Sequence, residues 1–312
     1  MNKVTAILSL FGNVVPQYII NKNYPLTKVS VFYHTIKPNT EPFTRGLYRT
    51  ITPLQFEKDL DYLLHHFGNR LELSFDDGLS SCAEVAAPIL KRKGIPATFF
   101  LNTAFIDNKE LFYRYKAALI VHACSITPAL QHKIEQQIKK PVVDYVYQIS
   151  YSNRHELDSL AQQAEVDFNN YLKQYQPYLS TSQIQTLLAD GFSIGAHSID
   201  HPPFFELQEA EQIRQIETSM NWLTEQFNLS YKYFSFPFTD WGLSARLFHY
   251  IYEKRIVDAT WGCAGIKHEL FPKHTQRIAL DAGYKNAAQA IKTEYLYYQL
   301  KKPFNKNTIQ RI

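Results

Sequence analysis

Seven short runs of β-branched and aromatic residues, separated by stretches with apolar residues at helical spacing, restrict this chain more than any other feature. The runs are Val29 to His34, Leu71 to Phe75, Ala97 to Asn102, Phe192 to His197, Tyr233 to Phe238, Ala259 to Gly262 and Arg277 to Asp281. Helical patterns at Leu54 to Phe67, Cys82 to Lys93, Ile213 to Phe227 and Leu243 to Lys254 alternate with them. Strand followed by helix, repeated, is the signature of a parallel α/β architecture. The joints agree: Thr52-Pro53 opens a helix with a cap and a proline at the first position, and Gly94-Ile95-Pro96 closes the next one.

One joint departs from the alternation. From Ala104 to Asp190 the chain carries helical patterns (Leu111 to Val121, Ala129 to Ile138, Glu156 to Tyr175) and no strand run. A structureless loop of that length is improbable, so residues 104–180 read as a helical insertion between the third and fourth strands. The rest divides into an N-terminal segment, 1–28, a single α/β domain, 29–300, and a basic tail, 301–312. The apolar run Val4 to Phe11, followed by Gly12-Asn13-Val14-Val15-Pro16, is short and lacks a small-x-small cleavage pattern. It reads as a packed or membrane-grazing helix rather than a signal peptide, and no segment reaches the ~20 apolar residues of a membrane span.

Composition narrows the function. A net charge of +4 on 312 residues is far below the footprint of a nucleic-acid binder. Three cysteines, Cys82, Cys124 and Cys263, have no metal spacing and form no even framework, which suits a reducing compartment. The cytoplasm, in contact with the inner face of the membrane, is the expected location.

In parallel α/β folds functional groups gather where strands end. The second strand ends in Ser74-Phe75-Asp76-Asp77-Gly78, two adjacent acids on a glycine turn. The fourth ends in His197-Ser198-Ile199-Asp200-His201-Pro202-Pro203, and the prolines disfavour a helix through His201, so the two histidines converge from a turn. Asp77, His197 and His201 together make an N,N,O set with an open position, as a hydrolytic metal site requires, and leave Asp76 as a base. Each element also has a plainer reading, Asp77-Gly78 as an Asx turn and a strand-end histidine as a satisfied polar residue.

Taken in order, these motifs resemble those of the polysaccharide deacetylases of the NodB homology region. Ser74 to Gly78 is similar to their first motif, His197 to His201 to their second, and Tyr33-His34 to a common start of the first strand in bacterial members. The resemblance covers roughly residues 29–282, interrupted by the insertion. It implies a distorted (β/α)7-type barrel and hydrolysis of N-acetyl groups of an amino sugar or polysaccharide precursor, with a divalent metal. Zinc is the expected ion, with cobalt, nickel, iron and manganese as alternatives. By the same resemblance Asp77, His197 and His201 are the metal ligands and Asp76 the general base.

The family's third motif, arginine-x-proline-aromatic-glycine, is matched by Ser235-Phe236-Pro237-Phe238-Thr239, without the arginine. Pro237, Phe238 and Trp261, the nearest match to the fourth motif, are then expected to line the substrate groove, with Arg114 and Tyr115 from the insertion. The leucine-x-histidine of the fifth motif is absent from Arg277-Ile278-Ala279-Leu280-Asp281, leaving His34, His268 and His274 as candidates for the general acid. Two other readings stay open: a deacetylase-fold carbohydrate-binding protein that has lost turnover, and an amidohydrolase or deformylase acting on a non-polymeric substrate. Metal and base do not by themselves specify the acyl group.

Overall fold

The computed structural model describes residues 3–11 and 15–311. The break expected at Gly12 to Val14 lies outside them. Eight parallel strands form one sheet: β1 (Val29–Tyr33), β2 (Leu71–Phe75), β3 (Thr98–Leu101), β4 (Ser193–Ala196), β5 (Tyr233–Ser235), β6 (Ala259–Gly262), β7 (His274–Gln276) and β8 (Ile278–Ala279). Their order is β7-β6-β5-β4-β3-β2-β1-β8. The two edges belong to one stretch of backbone. β7 pairs with β6 (Thr260 with His274, Gly262 with Gln276), and β8 pairs with β1 (Val31 with Ile278, Phe32 with Ala279). Only Arg277 separates them, so the chain bends there and nearly closes a ring of seven staves. The last strand begins at His274, three residues before the expected Arg277.

Around the ring run α1 (Lys3–Phe11), α2 (Gln17–Asn23), α3 (Pro53–Phe67), α4 (Ala87–Lys93), α5 (Tyr113–Ile126), α6 (Pro128–Ile138), α7 (Val142–Val146), α8 (Glu156–Gln163), α9 (Phe168–Tyr175), α10 (Thr181–Ala189), α11 (Glu209–Phe227), α12 (Ala245–Glu253) and α13 (Ala287–Lys301). Their ends follow the local chemistry. The Thr52 hydroxyl accepts from Gln55 N at the start of α3, and Gly94 closes α4 at φ +66°. Ser180 and Gln183 cap α10 reciprocally. β1 is buried along its whole length, as a stave covered on both faces must be. Among the described residues no helix is long and apolar enough to cross a membrane.

Helices α5 to α9 form the insertion. The stretch Glu156 to Tyr175, which the pattern reads as one helix, is two, because Glu165 takes φ +56° and Asp167 caps α9 through Asn170 N. On its way back the insertion crosses the loop after β2: Leu179 N donates to Gly78 O at 2.9 Å and Ser80 N to Pro177 O at 2.8 Å. It therefore leaves and returns at the strand ends that carry Asp77 and His197.

Inside the ring, large side chains sit opposite a gap. Trp261 packs on Phe100, with ring centroids 5.2 Å apart, and Phe100 faces Gly195. A Cβ on Gly195 would lie 2.6 Å from the Phe100 ring and 2.8 Å from Tyr233 O. Overpacking of this kind costs about 1–3 kcal/mol. Gly195→Ala should lower stability by that amount, measured as the shift in the denaturant midpoint; an unchanged midpoint would show that the interior relaxes freely here.

Candidate active site

The register of β1 and β2 pairs Tyr33 with Phe75, so the next residues, His34 and Asp76, leave adjacent strands side by side. Asp77 then turns at φ +69° and Gly78 at φ +65°. A Cβ on Gly78 would already touch the Leu101 side chain at 3.0 Å. That turn brings the second acid back to the strand mouth. At the end of β4 a second tight turn does the same for histidine: Ser198 and His201 take φ +73° and +61°, and the Ser198 hydroxyl accepts from His201 N at 3.0 Å. Asn102 holds the turn by donating to His197 O and to Ser198 Oγ.

Three side chains converge as a result. His201 Nε2 lies 3.2 Å and His197 Nε2 3.7 Å from Asp77 Oδ1. That oxygen is buried and accepts no hydrogen bond. His197 Nδ1 is 2.8 Å from Ser235 O; a carbonyl only accepts, so Nδ1 carries the proton and Nε2 presents a lone pair to Asp77. Burial pulls the His197 ring down to about 4, against the raising influence of Asp76, so it is neutral near pH 7. Burial would push the Asp77 carboxyl up, but His201 first, then His34 and His197, hold it well below the usual carboxylate range. Two imidazole nitrogens and an orphaned carboxylate oxygen within 4.8 Å of one another fit a divalent cation of the zinc type.

Asp76 is held apart from this group by an arginine. Arg277 Nη1 and Nη2 each lie 2.8 Å from one Asp76 oxygen. The remaining donors go to Ser74 Oγ at 2.8 Å, Ser235 Oγ at 2.6 Å and Gly262 O at 3.1 Å. All five guanidinium N–H groups are thereby used. The cation is sandwiched by Phe32 and Phe100, 4.2 and 5.3 Å from their ring centres. Burial acts to raise the Asp76 carboxyl, and Arg277, followed by His197, brings it below its ordinary value.

The other candidates separate. His34 sits at the mouth; its Nδ1 is 3.0 Å and its backbone N 2.7 Å from Asp281 Oδ2, and Tyr48 stacks flat on its ring at 4.2 Å. Burial opposes its charge, but the Asp281 carboxylate prevails and raises the ring to about 9. His268 is elsewhere, with Nε2 2.8 Å from Tyr298 OH. His274 belongs to a second buried group: its Nε2 is 3.1 Å from Asp240, while Arg311 reaches Asp240 at 2.8 Å and Glu269 at 2.6 Å. Those acids, which with His274 are spaced like ligands, already hold a guanidinium. Neither His268 nor His274 is brought to Asp77.

Phe238 borders the site as expected: its ring is 4.6 Å from that of His201, and it is 40% exposed. Pro237 is buried behind it. Trp261 does not reach the groove. Strand alternation turns it into the ring, where with Ser74 and Arg277 it lines a small cavity. Arg114 is turned into the insertion, donating to Tyr147 O at 2.6 Å. Tyr115, also from the insertion, is fully buried and donates to Asp77 Oδ2 at 2.7 Å, so it touches a candidate ligand rather than a groove. Phe112 packs on His201 at 4.3 Å. Arg277, Asp281 and Tyr48 were not anticipated, although an arginine inside a buried strand run is itself a signal that an acid must meet it.

A family model described as "Polysaccharide deacetylase" matches residues 68–248. The chain belongs to the polysaccharide deacetylase family. Among solved structures, the Streptococcus pyogenes deacetylase PplD in complex with acetate is similar at 14% identity and TM-score 0.52, over 86% of this chain and 99% of the other. IcaB from Ammonifex degensii is similar at 15% and 0.52, over 86% and 98%. The de-N-acetylase from Aggregatibacter actinomycetemcomitans is similar at 12% and 0.50, over 86% and 99%. Such low identities speak for the fold, a (β/α)7-type barrel. No curated protein matches.

Set against the family motifs, this deacetylase-family chain exchanges two positions between strands. Ser235 stands where the third motif has arginine, and Arg277 comes from the closing strand to hydrogen-bond Ser235 and hold Asp76. No histidine follows Leu280 as the fifth motif would have it, and Asp281 beside that leucine pairs instead with His34, which leaves the end of β1. Removing one member of a buried pair leaves an uncompensated charge, at a cost of about 3–5 kcal/mol. Arg277→Met should destabilise the fold by that order in chemical denaturation, and adding Asp76→Asn should recover part of the loss. Equal stabilities for the single and double variants would mean that Asp76 left without its arginine carries no uncompensated cost.

Proposed function

We propose that this chain is a divalent-metal-dependent deacetylase that hydrolyses the N-acetyl group of an amino sugar in a polysaccharide or its precursor. The observation that carries this reading is the juxtaposition at one strand mouth of an orphaned Asp77 oxygen facing His197 and His201 with an arginine-held Asp76 beside it. Asp77, His197 and His201 are the residues that would hold the metal, zinc by the chemistry of the set. Bound there, it supplies Lewis acidity toward the acetyl carbonyl and lowers the pKa of water toward ~7.

The remaining work falls to side chains of the chain itself. Asp76 stays ionised and takes the proton of the attacking water; Arg277 uses one acceptor direction on Oδ1 and leaves another, since each carboxylate oxygen has two lone pairs. His34, with Nδ1 fixed by Asp281, gives a proton from Nε2 to the departing nitrogen as the C–N bond breaks. Acetate and the free amine are the products. Phe238 walls the groove, its backbone amide available to the oxyanion. Arg277 and Asp281 are positioning residues, and because they and His34 supply the groups absent from the third and fifth motifs, they weigh against a fold that has lost turnover. The Aggregatibacter neighbour is a de-N-acetylase, which supports the same acyl group. We place the activity in the cytoplasm, at the inner face of the membrane, where the unpaired Cys82, Cys124 and Cys263 stay reduced.

Zinc-loaded protein should release acetate from N-acetylated sugars or oligosaccharides. Asp76→Asn should retain zinc and lose at least ~10²-fold in rate, whereas His197→Ala and His201→Ala should lose zinc, measured by elemental analysis. Formate release from N-formyl substrates without acetate release would replace the acetyl reading. The pH profile tests His34. Its raised value keeps the ring protonated to about pH 9, so kcat/KM should hold to that point and fall above it. In Asp281→Asn the charged ring loses its support, and the fall should move down toward the ordinary histidine value of ~6.5. An unmoved high-pH limb would remove His34 from the acid role.

A further inference from the structure

Helix α1 packs along α13, and Gln289 Nε2 donates to Ser9 O at 3.1 Å. Beside this pair lies a cavity of about 520 Å³, bordered at one end by Thr5 of α1, Lys301 at the end of α13, Lys306 and Lys267, and reaching at the other to Trp241 and Cys263, whose thiol donates to Phe238 O. Three lysines thus border it, and among the described residues lining the cavity Glu294 is the only acid, its carboxylate accepting from Tyr284 OH at 2.8 Å. Lys267 donates to Lys306 O, and Lys301 lies over the Tyr297 ring, so neither is met by a carboxylate. Burial, and then the Lys301 ammonium, pull Lys267 down to about 8, against the raising influence of the Glu294 carboxylate.

The segments that border it also expose apolar side chains. Val4 and Ile7, one turn apart on α1, are 49% and 59% exposed. Leu300 and Phe304, next in sequence to Lys301 and Asn305, are 54% and 72% exposed. Large exposed apolar side chains interleaved with lysines are the pattern of a surface that lies in a lipid headgroup layer.

We propose that this face docks on an anionic phospholipid surface. Val4, Ile7, Leu300 and Phe304 enter the boundary between headgroups and acyl chains, and a lipid phosphate is met by Lys267, Lys301 and Lys306 at the cavity.

The full chain can be tested by co-sedimentation with vesicles of phosphatidylglycerol mixed into phosphatidylcholine, against pure phosphatidylcholine. Binding should require the anionic lipid and weaken with salt. With each lysine near the surface worth ~1 kcal/mol, Lys301→Gln/Lys306→Gln should lower partitioning by about 30-fold. Leu300→Ser/Phe304→Ser should lower it by about ten-fold or more. Hydrogen exchange of the unmutated protein should slow on vesicles at residues 3–11 and 300–306, a measurement that needs no variant to fold. Binding equal on neutral vesicles, wild-type binding by folded variants, or exchange protection elsewhere would overturn the proposal. So would inorganic phosphate binding at these lysines in a protein that ignores vesicles, which would make the cavity a site for a free anion.

Discussion

The buried ion pair between Arg277 and Asp76 is the contact on which most else in this molecule rests. Taking two such charges out of water costs several kcal/mol for each ion, so the pair persists only with close geometry and every donor satisfied. Both conditions hold. The guanidinium meets the carboxylate through two contacts of 2.8 Å and spends its other hydrogens on Ser74, Ser235 and Gly262, which belong to β2, β5 and β6. Arg277 is also the residue at which β7 becomes β8 and the ring passes from β6 to β1. One side chain therefore ties the closing strand to three others and fixes the direction of an acid at the mouth. A lysine here would offer one compact charge without the fork that makes both carboxylate contacts.

Strained backbone accumulates around the same mouth. Asp77, Ser198, His201 and Phe238 all adopt positive φ without being glycine, a conformation that persists only where surrounding structure compels it. Much of that compulsion comes from the insertion. Tyr115 donates to Asp77, Phe112 covers His201, and the returning segment at 177–179 pairs with the loop carrying Gly78 and Ser80. The inserted helices thus buttress the acid and the histidine from behind, and Arg114, read from its position as a groove residue, is used up inside that buttress.

What the sequence made legible was local. Strand runs bounded by turn residues, the cap at Thr52 and the stop at Gly94, and the two short motifs holding Asp76, Asp77, His197 and His201 are each decided within a few residues. Arg277 with Asp76 and His34 with Asp281 are about two hundred residues or more apart, and no periodicity links such partners before the ring closes. Trp261 was misread for a related reason. Its place in the chain beside a motif said nothing of which way the strand would turn it, and the pairing of Ser235 with Trp261 sends the indole into the barrel. His268 precedes the closing strand and His274 opens it, yet His268 packs on Tyr298 and His274 faces Asp240.

A barrel makes such exchanges between strands tolerable. Every stave ends at the same mouth, so a charge required at one point in space can be delivered by any of several neighbours, provided the position it vacates is left small and polar. Ser235 meets that condition: its hydroxyl stays within 3.4 Å of Asp76 and accepts from Arg277 at 2.6 Å, filling the space between them without a second cation. Asp281 meets it differently. Lying at the end of β8, beside β1, it has its carboxylate in reach of both the backbone N–H and the ring of His34. The charges and lone pairs gathered at this mouth thus come from the ends of several strands, which only the closed ring brings together.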